Sequence, residues 1–383
     1  MIEIQNPQLR EIEQRASRFN SKFRGLYGQF TNPFTYAVLM DELRKIRNDL
    51  NPISTTNDFD SFVKEHILHS LEAQEAISVW SMEENSEYSI EDIFELINGS
   101  KLEYIEEMVR NMSFEKSFKT SQAMIPIAKH FIRNDTEDVQ PMIKESINRC
   151  IDDVIEYGIK HGFFQDGFNP EKIILPNINE ARSNWNADLR RMEIDPRDIH
   201  IFKLNDHKIV LPAKLYLTLF HELLGHGSQD EYSLVLPGIL HLGKDNYTSL
   251  VSKPVVEGLA VYRAIDEGVN FLTKKAKELG LPKEYLEEII AFETTFSSEN
   301  LASHVYKAVL QAKKKAEPDF NIRQRMKERV GIYSIYRDAE TPSELNGYMA
   351  LQEASYITGE KHILDLEKKL RTEYGDEFIN QHR

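Results

Sequence analysis

Along most of the chain, apolar residues recur at three- and four-residue intervals inside stretches that hold few glycines or prolines, the period of an amphipathic helix. Residues 62 to 80 and 90 to 109 show the pattern well, with polar joints at Asn51-Pro52 and Asn98-Gly99-Ser100. Further helices are predicted over 119 to 134 and 137 to 161, followed by the loop 162 to 170, whose two glycines, proline and three aromatics suit a subdomain joint. Residues 199 to 211 alternate apolar and polar positions around Asn205-Asp206, the pattern of a hairpin or edge strand. A helix over 214 to 227 follows directly, and others are predicted over 255 to 268, 283 to 297, 299 to 316 and 320 to 331. A last pair starts after Pro342, where Ser343 can cap, and breaks at Gly359 before a charged helix over 361 to 374. The expected fold is therefore mainly α and bundle-like, with a small β-hairpin or edge strand ahead of the 214 to 227 helix. Residues 1–165 are expected to form an N-terminal helical region, and residues 166–383 a second region.

Composition narrows the function. The 383 residues carry 47 Lys and Arg against 62 Asp and Glu, a net charge of −15. That balance argues against an unspecific grip on nucleic acid or on an anionic membrane, both of which need a positive surface. With 41% hydrophobic and 28% charged residues the chain has the make-up of a globular protein. The single cysteine, Cys150, rules out an internal disulfide framework and a cysteine-rich zinc cluster, and a reducing cytoplasm fits it best. No run of about 18 apolar residues and no basic-then-apolar start is present, so neither secretion nor membrane insertion is expected.

The informative string is Leu219-Phe220-His221-Glu222-Leu223-Leu224-Gly225-His226-Gly227. Two histidines with a glutamate beside the first are what zinc hydrolases use: imidazoles hold the metal and the glutamate takes a proton from water. The histidines are five apart instead of the familiar four. In a regular α-helix five positions span roughly 140° around the axis, so the two rings could not share an ion. A single π-turn absorbs the extra residue, and Gly225 sits where that distortion is needed. Glycine inside a helix costs about 1 kcal/mol relative to alanine, so its place there calls for a reason. The alternative reading is a buried helix end with two incidental histidines, stopped by Gly225 and Gly227.

Catalytic zinc usually has three protein ligands and one open position. Glu257, 31 residues after His226, is the candidate for the third; it lies in Val255-Val256-Glu257-Gly258-Leu259-Ala260-Val261-Tyr262-Arg263, where Gly258 and Ala260 permit close helix approach. Its alternative reading is a solvated acidic residue at a helix start.

These motifs resemble those of gluzincin-type peptidases, in which two helices supply His, His and Glu. HELLGHGS (His221 to Ser228) is similar to the zinc motif of the dipeptidyl peptidase III family, which shares the five-residue spacing over these eight residues. H-E-x-x-x-H combined with EGLAVY (Glu257 to Tyr262) resembles the tyrosine carboxypeptidase family that acts on tubulin, and its bacterial relatives. A third resemblance is to bacterial proteins carrying HExxPGHHxQ and EGWALY; GHGSQ (Gly225 to Gln229) matches without the proline, and residues 355 to 378 are similar to their C-terminal S-Y-x-x-G segment. The likeness spans roughly 175 to 383.

The resemblance implies a helical zincin: a zinc metallopeptidase holding one Zn2+ through His221, His226 and Glu257, with Glu222 as general base. The residue chemistry reaches the same roles. An oxyanion donor is also needed; Tyr356 is the first choice and Tyr348 the second, with His304 and His241 behind them. Arg263 is a candidate for binding a substrate carboxylate, its alternative being a surface ion pair. In some gluzincins an aspartate four residues after the ligand glutamate orients a histidine; here Val261 stands at that position, leaving Asp230, Glu231 or Asp266 as replacements. A peptide or protein substrate is expected to lie along the 199 to 211 strand. Carboxypeptidase action is the narrower expectation. The alternatives are a dipeptidyl peptidase or other aminopeptidase, hydrolysis of a non-peptide amide or ester, and a helical zinc-binding scaffold without turnover.

Overall fold

The helical period is realised through most of the chain. The computed structural model describes residues 3–25, 33–82, 86–111, 140–175, 182–204, 207–233, 236–240, 250–329 and 347–375. The chain divides into two compact units, each made of separated stretches. One holds Met1–Asn111, Tyr232–Gly258 and Leu301–Arg383; the other holds Met112–Glu231 and Leu259–Asn300.

The first unit contains helices α1 (Pro7–Gly25), α2 (Pro33–Leu50), α3 (Asp58–Met82), α4 (Ile90–Asn98) and α5 (Leu102–Asn111). Phe19, Phe23, Leu39, Leu43, Ile46 and Ile67 form part of its buried interior, where removing each large side chain from water contributes roughly 1.5–3 kcal/mol. Helix α4 shows why its ends fall where they do. Ser89 accepts from the Asp92 backbone while the Asp92 side chain accepts from the Ser89 backbone, and Gly99 closes the helix in the left-handed conformation at φ 60°. The polar joint expected at Asn98-Gly99-Ser100 thus splits the 90 to 109 segment into two helices.

The other unit opens with α6 (Gln140–Lys160), then strands β1 (Glu171–Ile174), β2 (Asn184–Asn186) and β3 (Arg191–Ile194). They form a sheet in the order β1-β3-β2, with β1 parallel and β2 antiparallel to β3. Strands this short leave no legible alternation, so the sequence does not predict this sheet. The expected hairpin is present as β4 (His200–Leu204) and β5 (His207–Leu211), pairing Phe202 with Ile209. It leads through Pro212 into α7 (Ala213–Leu219). A π-helical turn spans Phe220–Gly227, and α8 (Ser228–Ser233) continues it. Helix α9 (Lys253–Tyr262), which the first unit holds through Gly258, the π-turn Arg263–Gly268 and α10 (Val269–Lys275) follow in sequence, then α11 (Lys283–Ala291) and a third π-turn, Phe292–Phe296. Trp185, Met192, Ile194, Tyr216, Phe220, Leu223 and Leu272 belong to the buried cluster of this unit.

The remaining helices are α12 (Ser297–Ala316), α13 (Ile322–Arg329) and α14 (Gly347–Tyr374). The break expected at Gly359 does not occur, because α14 runs through it. A Cβ on Gly359 would fall 1.9 Å from Pro254 O, and one on Gly258 2.1 Å from the Gly359 carbonyl carbon. These glycines let α9 and α14 cross in backbone contact. The 119 to 134 segment and the Ser343 cap lie outside the described residues. The fold is mainly α, and among the described residues no helix is long and apolar enough to cross a membrane.

Candidate metal centre

Phe220–Gly227 is the widened turn that the five-residue histidine spacing requires. In π geometry the hydrogen-bonded partner is five residues away, so positions 221 and 226 share a face. Their ring centroids lie 5.0 Å apart with the planes at 87°. Phe220, Leu223 and Leu224 fill the opposite, buried face and fix the turn's rotation about its axis. Gly225 allows the turn to meet its neighbour: a Cβ there would sit 2.7 Å from both Cα and Cβ of Ala260. Ser228 Oγ donates to Leu224 O at 2.5 Å and lies 3.1 Å from Gly225 O, which also accepts the Ser228 backbone N–H.

Ala260 lies on the last turn of α9, and Glu257 is one turn earlier on the same helix. His221, His226 and Glu257 each offer one ligand atom, and these atoms all lie within 4.8 Å of one another. Two imidazoles and a carboxylate are the donor set of a catalytic zinc site, so these three residues could hold such an ion. Glu257 is only 4% exposed, and its Oε1 pairs with Lys253 Nζ at 3.0 Å.

Neighbouring groups orient these side chains. Nδ1 of His226 lies 3.1 Å from Oε1 of buried Gln229; an amide oxygen only accepts, so Nδ1 carries the proton and the Nε2 lone pair is left for a metal. Glu222 Oε2 accepts the backbone N–H of Trp185 on β2 at 3.1 Å, while its Oε1 lies 3.9 Å from His221 Nε2. Neither contact was anticipated from the sequence. Gln229 had a signal, three residues beyond His226 and thus within reach on a helix. Trp185, 37 residues before Glu222, had none.

The other expected site residues sit in varied surroundings. Arg263 starts the second π-turn and is tucked in, with its guanidinium 4.3 Å over the Phe163 ring and NH1 3.6 Å from Glu267 Oε1. Glu267 also accepts from the Tyr157 hydroxyl. Tyr356 is half-buried on α14, three residues before the Gly359 crossing. The side chain of Tyr348 and all of His241 lie outside the described residues, and His304 is exposed on α12. Of the acidic candidates for orienting a ligand, Glu231 is ion-paired with Arg190, while Asp230 is buried on α8 and Asp266 lies on the second π-turn. The strand that reaches the glutamate is β2.

No protein-family model, curated protein or solved structure matches the chain.

Proposed function

We propose that this protein is a zinc-dependent hydrolase of peptide bonds, holding one zinc ion per chain through His221, His226 and Glu257. The observation that carries the reading is the convergence of those three ligand atoms within 4.8 Å across a π-turn that five-residue spacing needs. Bound zinc would supply Lewis acidity, polarising a scissile carbonyl and making water acidic near neutrality. Gln229 holds the His226 ring in the tautomer that can ligate. Glu222 Oε2 is tied to the Trp185 N–H, so Oε1 takes the proton from water and returns it to the leaving amine. Tyr356 is assigned to stabilise the oxyanion.

The substrate in this reading is a peptide or protein, lying beside β2, whose backbone already reaches Glu222. Carboxypeptidase action is its narrower form. Arg263, the cation expected to meet a terminal carboxylate, is engaged by Glu267 and Phe163. The single thiol, buried Cys150, suits a cytoplasmic setting.

Glu222→Gln keeps the shape of the side chain and removes its basicity. Hydrolysis of a peptide library by the zinc-loaded protein should fall by about 10³ with zinc content unchanged. Turnover equal to wild type, or none in wild type, contradicts the reading. Amidating the C-termini of the cleaved peptides separates the carboxypeptidase form, which loses them as substrates, from aminopeptidase action, which does not.

A further inference from the structure

Strand β2 is held with unusual care for an edge of three residues. Glu193 on β3 accepts from Asn184 Nδ2 at 3.0 Å through Oε2 and from Asn186 Nδ2 at 3.1 Å through Oε1. Asn184 pairs with Glu193 in the sheet register and Asn186 with Arg191, whose Nε donates to Glu193 Oε1 at 2.7 Å. One carboxylate therefore ties down the residues on both sides of Trp185. Side chains alternate along a strand, so the two asparagines share the Glu193 face while Trp185 lies on the other. There Trp185 is 8% exposed, with Phe168 at 6.2 Å between ring centroids and Gly227 of the π-turn beside its indole. Held on one face by the clamp and on the other by packing, the strand has little freedom to slide. What it carries at that point is the N–H that Glu222 Oε2 accepts.

We infer that Glu193 is a positioning residue for Glu222: through Asn184 and Asn186 it fixes the Trp185 backbone, and Trp185 N–H fixes which carboxylate oxygen faces the ligand imidazole. The chemistry of this arrangement is selection between two otherwise equivalent oxygens. With Oε2 accepting the Trp185 N–H, Oε1 is the oxygen 3.9 Å from His221 Nε2, and the torsional search the carboxylate would otherwise make is reduced before the reaction. An edge strand left unpinned would let that N–H drift, and a hydrogen bond weakens steeply with misalignment. The catalytic consequence rests on the hydrolase reading above; the positional one does not.

The chain has two tryptophans, Trp80 and Trp185, so protein labelled with 15N-tryptophan gives one backbone amide signal from each, with Trp80 in α3 as internal control. In the metal-free protein, Glu193→Gln should speed exchange of the Trp185 amide by about tenfold, Glu222→Ala should do so at least equally, and Trp80 should be unaffected by either. In the zinc-loaded protein, Glu193→Gln should lower kcat by about tenfold with KM and zinc content unchanged, and should have no further effect on the residue of activity left by Glu222→Gln. An unchanged Trp185 amide in Glu193→Gln, or equal acceleration of Trp80, overturns the proposal. Accelerated Trp185 exchange without peptide hydrolysis by any form keeps the clamp and rejects the hydrolase reading, so the two failures are distinguishable.

Discussion

Among the described residues, the unit that holds α6 and the short strands contains three π-turns, and two of them, Phe220–Gly227 and Arg263–Gly268, carry comparable chemistry to different ends. Each includes charged or ligating side chains and a glycine in close contact with the other rod: Gly225 against Ala260, and Gly268 against Phe220. In the first, His221, Glu222 and His226 are half-buried and converge. In the second, Arg263 and Glu267 face each other and are joined by the Phe163 ring and the Tyr157 hydroxyl. Burial and the hydrogen bond from Tyr157 to Glu267 push the Tyr157 hydroxyl well above its usual range. A widened turn is thus not a site in itself. It makes a site only where its donors are aimed at a common point and their neighbours orient them without consuming them.

The contrast breaks most strongly at the glycines. Alanine at position 225 would put a methyl 2.7 Å from the Ala260 backbone, so α9 must move, at a cost of about 3 kcal/mol and at least about tenfold in zinc affinity. Gly268→Ala meets the Phe220 side chain at 3.1 Å and Leu217 Cδ2 at 3.3 Å, with no backbone in the way, and should cost about 1 kcal/mol with zinc affinity unchanged. Thermal melts with zinc titration check both. Equal effects on zinc affinity would mean that the two turns are equivalent.

A pH-dependent effect sharpens the same comparison from the ground on which the first turn stands. His200 of β4, at the Tyr285 hydroxyl (3.1 Å), is held down to about 4 by burial and the nearby Lys214 charge. Its folded value lies below the unfolded one of roughly 6.5, so the unfolded chain binds the extra proton between them. Stability should therefore be fully present above about pH 6.5 and fall as pH drops toward 4, by up to about 3 kcal/mol. His200→Gln should flatten that slope in urea melts at pH 4.5 and 7; an unchanged slope would remove His200 from the account.

Much of this was legible in the chain because the decisive features were local. Helix periodicity needs no partner to be read, and the hairpin announced itself by alternation around Asn205-Asp206. The π-turn followed from a conflict between five-residue spacing and a 3.6-residue helix. What escaped depended on distant contact. Gly359 looks like a helix break until Pro254 and Gly258 are seen against it, and β1 to β3 are too short to show a period. The Trp185 N–H belongs to the backbone, which every residue shares, so nothing in the sequence marks it as the one that meets Glu222. Arg263 read as a surface ion pair or a carboxylate binder because the Phe163 ring that covers it is 100 residues earlier.

Metal content tests the central claim most directly. Purified protein titrated with Zn2+ should bind one ion per chain, with X-ray absorption giving two imidazole nitrogens and a carboxylate oxygen at roughly 2.0–2.2 Å, and His221→Ala, His226→Ala and Glu257→Gln should each weaken binding by at least about 100-fold. Wild-type protein that takes up no stoichiometric zinc, or a His226→Ala variant that binds it as tightly as wild type, would contradict the account.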